Sequence, residues 1–91
     1  MALPLIPLGT TEVMVGDTGV TIRSLSRAEV VTLGNMRDGD PNDAETFMLS
    51  KACGITETEA REWLNANSAA TADGLLVSIA VLSGIQRPGN A

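Results

Sequence analysis

At 91 residues and a formal net charge of −5, the chain is the size of one domain and acidic throughout. Its six basic residues, Arg23, Arg27, Arg37, Lys51, Arg61 and Arg87, are scattered and never adjacent. They supply neither the clustered cations that gain from counterion release on nucleic acid nor a patch for an anionic lipid surface, so neither partner is expected.

Chemistry is constrained as tightly. Histidine is absent, which removes the side chain that titrates nearest neutrality and, with it, Ser-His and Cys-His nucleophile pairs. The carboxylates and Lys51 are not grouped by the sequence into an apolar pocket, so no enzyme and no cofactor is expected. Cys53 is the single cysteine. It has no intramolecular disulfide partner, and an intracellular setting is the simplest expectation. Phe47 and Trp63 are the only aromatic residues, so the core must be aliphatic, with methionine making it adaptable.

The chain opens on Met1-Ala-Leu-Pro-Leu-Ile-Pro-Leu8. Each proline fixes its own φ and restrains the residue before it, and residues 1–9 therefore read as an extended apolar arm. The opening lacks a basic leader and is not expected to be a signal peptide. Two β-branched runs, Glu12-Val-Met-Val15 and Val20-Thr-Ile-Arg-Ser-Leu25, flank the turn residues Gly16-Asp-Thr-Gly19. They predict a β-hairpin over residues 10–25, which is marginal alone and must pack on something.

Ser26 and Glu29 have the spacing of a capping box and open the first helix, with Val30, Leu33 and Met36 as its apolar stripe and Val31 beside it. Asp38-Gly-Asp-Pro-Asn-Asp43 stops it. A second helix is expected from about 43 to 53 with Ala44, Phe47, Met48 and Ala52 on its inner face, and Gly54 in the left-handed position that ends it. Thr56 and Glu59 repeat the capping box and open a third helix to about Ala66, burying Ala60, Trp63 and Leu64. Glu57 and Arg61 are spaced as an (i, i+4) ion pair. A fourth helix spans about 69–83 and is ended by Gly84. Residues 86–91 form a polar tail.

The expected class is therefore mainly α: about four short helices in a small bundle over residues 26–85, preceded by the hairpin and the arm.

Three local patterns invite a site. Asp38, Asp40 and Asn42 occupy the first, third and fifth places of a calcium loop, but Asp43 stands where glycine belongs and Leu49 where a bidentate Glu belongs, so no metal site is expected. Residues 49–66 resemble a helix-turn-helix, yet the reading face would carry Glu57, Glu59 and Glu62 against Arg61 alone. Neither Ser24 nor Ser78 stands in the Asp-Ser-Leu element of a phosphopantetheine carrier.

The last helix is the informative one. At 100° per residue, Leu75, Leu76, Val77, Ile79, Ala80, Val81, Leu82 and Ile85 cover every direction, interrupted only by Ser78 and Ser83. A helix apolar all round must be buried all round. Residues 75–85 are too few to span a bilayer, which takes roughly 20 residues. The expectation is that one face stays open as a partner site, formed by Leu75, Leu76, Ile79 and Leu82 with Val77 and Val81 as a second face. Self-association and a foreign partner are both open. A fully covered core helix is the competing expectation.

Three stretches carry a family resemblance: Val20-Thr-Ile-Arg-Ser-Leu-Ser-Arg-Ala-Glu-Val-Val-Thr-Leu33, Phe47-Met-Leu-Ser-Lys-Ala-Cys-Gly-Ile-Thr-Glu-Thr-Glu-Ala-Arg-Glu-Trp-Leu64 and Asp73-Gly-Leu-Leu-Val-Ser-Ile-Ala-Val-Leu-Ser-Gly-Ile85. Together they resemble the strand-then-helix opening, middle and last helix of tail assembly chaperones of long-tailed bacteriophages, in the short form made without frameshifting. The resemblance implies a non-catalytic factor of the host bacterial cytoplasm. It would bind the tape measure protein, help tail tube protein polymerise around it, and be absent from the finished virion. The alternatives are a small DNA-binding regulator using residues 49–66 and a structural tail or connector component of the virion.

Overall fold

The computed structural model describes residues 3–36 and 38–85. Their element order is β1 (Thr10–Val15), β2 (Thr18–Arg23), α1 (Arg27–Asn35), α2 (Pro41–Cys53), α3 (Glu57–Ala66) and α4 (Ala69–Leu82). The expected polar tail, residues 86–91, lies outside the described residues.

β1 and β2 pair antiparallel with Val15 opposite Thr18, so the turn is only Gly16-Asp17 and the second strand starts two residues earlier than its β-branched run suggests. Gly16 has φ +62°, a backbone state that glycine enters without steric cost and that a two-residue hairpin loop requires. Alternation then divides the faces. Val13, Val20 and Ile22 turn inward, while Glu12, Met14 and Thr21 turn to water.

That inward face overturns the expected mainly α class. The protein is a small α+β fold in which the hairpin is one layer of the core. Ile22 of β2 is as inaccessible as any residue of the helices and shares a cluster with Leu49, Ala60, Leu75 and Ile79. α2 packs on β2, and α4 packs on both strands. The physical reason is that four short helices bury too little among themselves. α1 contributes no buried residue at all, with Val30 and Leu33 half-buried and Val31 exposed.

Helix ends follow local chemistry. Both capping boxes form: Ser26 Oγ accepts the Glu29 N–H and Thr56 Oγ1 accepts the Glu59 N–H, while each glutamate accepts the N–H of its cap residue. α2 begins two residues earlier than expected, because Asp40 caps it through the Asn42 N–H and Pro41 takes the first helical position, where its missing N–H costs nothing. Gly54 closes α2 in the left-handed region, as its position in the sequence predicts.

The inner face of α2 differs from the expected one. Thr46, Leu49, Ser50 and Ala52 are buried, whereas Ala44, Phe47 and Met48 are only half-buried. Two hydroxyls are tolerated there because each finds a backbone acceptor. Thr46 Oγ1 donates to the Asn42 carbonyl at 2.7 Å, and Ser50 Oγ donates to the Ile55 carbonyl at 2.6 Å. The half-exposed Phe47 ring lies 5.7 Å from Lys51 Nζ, within cation–π range.

The hairpin is fastened to the first helix by a two-bond ion pair. Arg23 donates to Glu29 through Nη1 at 2.8 Å and Nη2 at 2.9 Å, while the same carboxylate accepts the Ser26 N–H. The Arg23 hydrogen bonds hold the Glu29 carboxyl at a pKa of about 2, well below its ordinary value. A carboxylate so depressed contributes stability that is complete above its unfolded pKa, near 4.3, and is lost as pH falls toward 2. Glu29→Gln is therefore expected to lower stability by about 1–2 kcal/mol at neutral pH. It should also flatten the loss of stability between pH 4.5 and pH 2.5 in urea titrations. An unchanged acid limb in the variant would show that the pair is not a source of the pH dependence.

Candidate partner-binding surface

α4 is the longest element and the most apolar. Ser68 caps it by accepting the Thr71 N–H, and its far end is held by Ser83, whose Oγ accepts the Leu25 N–H at 2.8 Å across 58 residues of sequence. Between those fastenings the helix lies against the hairpin on one side and α2 on another.

This double cover places the six sequence-predicted partner residues unequally. Leu75, Leu76 and Ile79 are buried in the core, with Leu75 also bordering an apolar groove. Val77 and Leu82 are half-buried. Val81 alone stands out, at 71 % exposure. From Leu75 onward the helix is covered on every side but that of Val81, because the hairpin adds a layer to the cover that α2 gives. Its first turns leave Ala69, Ala70, Asp73 and Gly74 exposed.

The unburied apolar surface is elsewhere. Leu3 is 85 % exposed, Leu5 100 % and Ile6 79 %, with Leu8 also exposed. These arm residues were not among the expected contact positions. A signal was present in the sequence: Pro4 and Pro7 bar the segment from a helix interior or a paired central strand, so no regular element of the body can enclose its side chains. Residues 1–11 also contain no charged side chain, a long neutral stretch for a chain of net charge −5.

The direction of the arm follows from its anchor. The Gly9 carbonyl accepts the Ser24 N–H at 2.8 Å, continuing the hairpin ladder by one step. Leu82 Cδ1 lies 3.8 Å from where a Cβ on Gly9 would stand. At the other end of β1, Val15 and Gly16 share a cleft with Ala70, Thr71 and Gly74. β1 and α4 therefore run antiparallel, and the arm leaves by the C-terminal end of α4, beside Leu82.

A second apolar feature lies toward the opposite end. Val20, Leu49, Cys53, Ile55, Trp63 and Leu75 line a groove of about 220 Å³ that contains no charged side chain. Burial raises the Cys53 thiol pKa, which keeps it protonated and unreactive at neutral pH. A larger cleft of about 510 Å³, between α2, α3 and the start of α4, is of mixed character, with Glu45 and Asp73 beside Leu64 and Leu76. Among the described residues no three metal-ligating side chains converge.

The remaining sequence candidates have structural occupations. Asp40 is a helix cap. Asp43 accepts from Arg61 Nη2 at 2.9 Å, so Arg61 is drawn to α2 rather than paired with Glu57 as its spacing suggests. Both partners of that pair are about half exposed, and it contributes little. On the face that a helix-turn-helix would present, Glu57, Glu59 and Glu62 are exposed, while the cation of that segment is engaged by a carboxylate. No helix of the described residues is long and apolar enough to cross a membrane.

Comparison of the chain with family models, with curated proteins and with solved structures finds no match.

One pair of substitutions separates core from surface on α4. Leu76→Asp buries a charge and is expected to unfold the protein, at a cost of several kcal/mol. Val81→Asp is expected to leave the melting temperature within about 2–4 °C of wild type, as an exposed substitution should. Thermal denaturation followed by circular dichroism reads both. Equal destabilisation by the two would mean that Val81 is enclosed.

Proposed function

We propose that the protein is a non-catalytic holder of apolar protein segments, acting as a tail assembly chaperone of a long-tailed phage. On this reading it engages the tape measure protein, promotes assembly of tail tube protein around it, works in the host cytoplasm and leaves before the virion is complete. The observation that carries the reading is the run of exposed Leu3, Leu5, Ile6 and Leu8 on an otherwise acidic body. Contiguous apolar surface of this kind marks protein contact.

The resemblance of residues 20–33, 47–64 and 73–85 to the chaperone family supports the same reading. The contact surface differs from the one that α4 alone suggests. Val81 and the half-buried Val77 and Leu82 edge a surface whose main part is the arm, because the inner residues of α4 are occupied by the core. An extended segment with alternating small anchors and no charge can lie along an apolar client helix, while the acidic body keeps the pair soluble by self-repulsion.

Co-expression with the tape measure protein of the same genome tests this. The expected result is a soluble complex that purifies as one species, and Leu5→Asp/Ile6→Asp should abolish it while preserving the circular dichroism of the chain. A complex that survives the double substitution, or a tape measure protein that is equally soluble alone, rejects the reading. Mass spectrometry of purified particles separates it from a permanent virion component: a chaperone is missing from them.

A further inference from the structure

We propose that the arm of one copy, residues 3–8, seats in the apolar groove of a second copy lined by Val20, Leu49, Cys53, Ile55, Trp63 and Leu75. The chain holds both halves of a contact that it does not make with itself. Leu5 and Ile6 have almost no cover, and the groove offers about 220 Å³ of space bounded by side chains without charge. That volume suits one or two aliphatic side chains.

Charge favours this pairing over any other contact between copies. Two bodies of net charge −5 repel, and residues 1–11 are a stretch of neutral sequence that can approach without that penalty. The groove is equally neutral, so the two surfaces match in character.

Geometry assigns the contact to a second copy. The arm departs beside Leu82, whereas Leu75 borders the groove about 10 Å back along α4 at 1.5 Å per residue. Gly9 is held in the line of the hairpin by its bond to Ser24, and Pro4 and Pro7 keep the remainder extended. The arm therefore points away from its own groove. Such a contact is head-to-tail, and an open assembly keeps one free arm at one end and one free groove at the other until a ring closes. The proposal concerns the chain alone and is independent of any client.

Trp63 is the only tryptophan and lines the groove, so it reports occupancy directly. Sedimentation velocity of the full chain is expected to show mass rising with concentration to at least twice the monomer, with Trp63 emission moving to shorter wavelength in step. Leu5→Asp/Ile6→Asp and, separately, Ile55→Glu should each be monomeric at all concentrations. Mixed together, they should form a species of two chains and no larger, because one supplies the intact groove and the other the intact arm. Should Ile55→Glu fail to fold, Val20→Glu, at a half-buried position of the groove, takes its place. A wild-type chain that stays monomeric at millimolar concentration overturns the proposal. So does a mixture that fails to pair, and so does association that leaves Trp63 emission unchanged.

Discussion

Ile22, Leu49 and Ile79 are completely or almost completely sealed from water, and they come from β2, α2 and α4. None of these elements is stable alone. A two-stranded hairpin is marginal in water, and isolated helices of 13 or 14 residues are hardly better. Each depends on the apolar face that the other two present. Alanines at Ala52, Ala60 and Ala72 let the backbones approach closely around that meeting point. The core is thin and contains no fully buried aromatic ring, so it cannot spare an element.

That dependence also decides which apolar side chains stay exposed. Because the hairpin is needed to complete the core, it covers one side of α4 while α2 covers another, and Leu75, Leu76 and Ile79 are buried between them. Among the described residues the most exposed apolar side chains are then those of the arm ahead of β1 and Val81 on α4, with Met14 and Val31 also open to water. A folded acidic body and an uncharged apolar extension are thus distinct parts of the chain.

Polar bonds hold the ends of the elements in register around this core. Arg23 and Glu29 join the hairpin to α1, Leu25 and Ser83 join the strand exit to the end of α4, and Ser50 closes the α2–α3 corner through Ile55. Among the described residues every buried side-chain nitrogen and oxygen has a hydrogen-bond partner. Unpaired groups there would cost more than the bonds contribute, and so small a core has little margin for one.

The sequence by itself determined what is local. Both capping boxes, the left-handed Gly54, the hairpin and the extended arm are decided by residues within a few positions of one another, whose backbone bonds and steric limits do not need the rest of the chain. The two-residue turn at Gly16-Asp17 and the early start of α2 at Asp40-Pro41 are local too, since a glycine-led loop and an Asp cap followed by proline need nothing beyond their neighbours. What the tertiary structure decided is which apolar side chains end up hidden. Leu75 and Val81 are equally apolar in sequence and differ only in what lies above them. Thr46 reads as polar and is buried because the Asn42 carbonyl satisfies it. The choice between Glu57 and Asp43 as the partner of Arg61 was likewise made by the α2–α3 corner. Burial depends on neighbours brought together from distant parts of the chain, and no pattern of spacing along one segment contains that information.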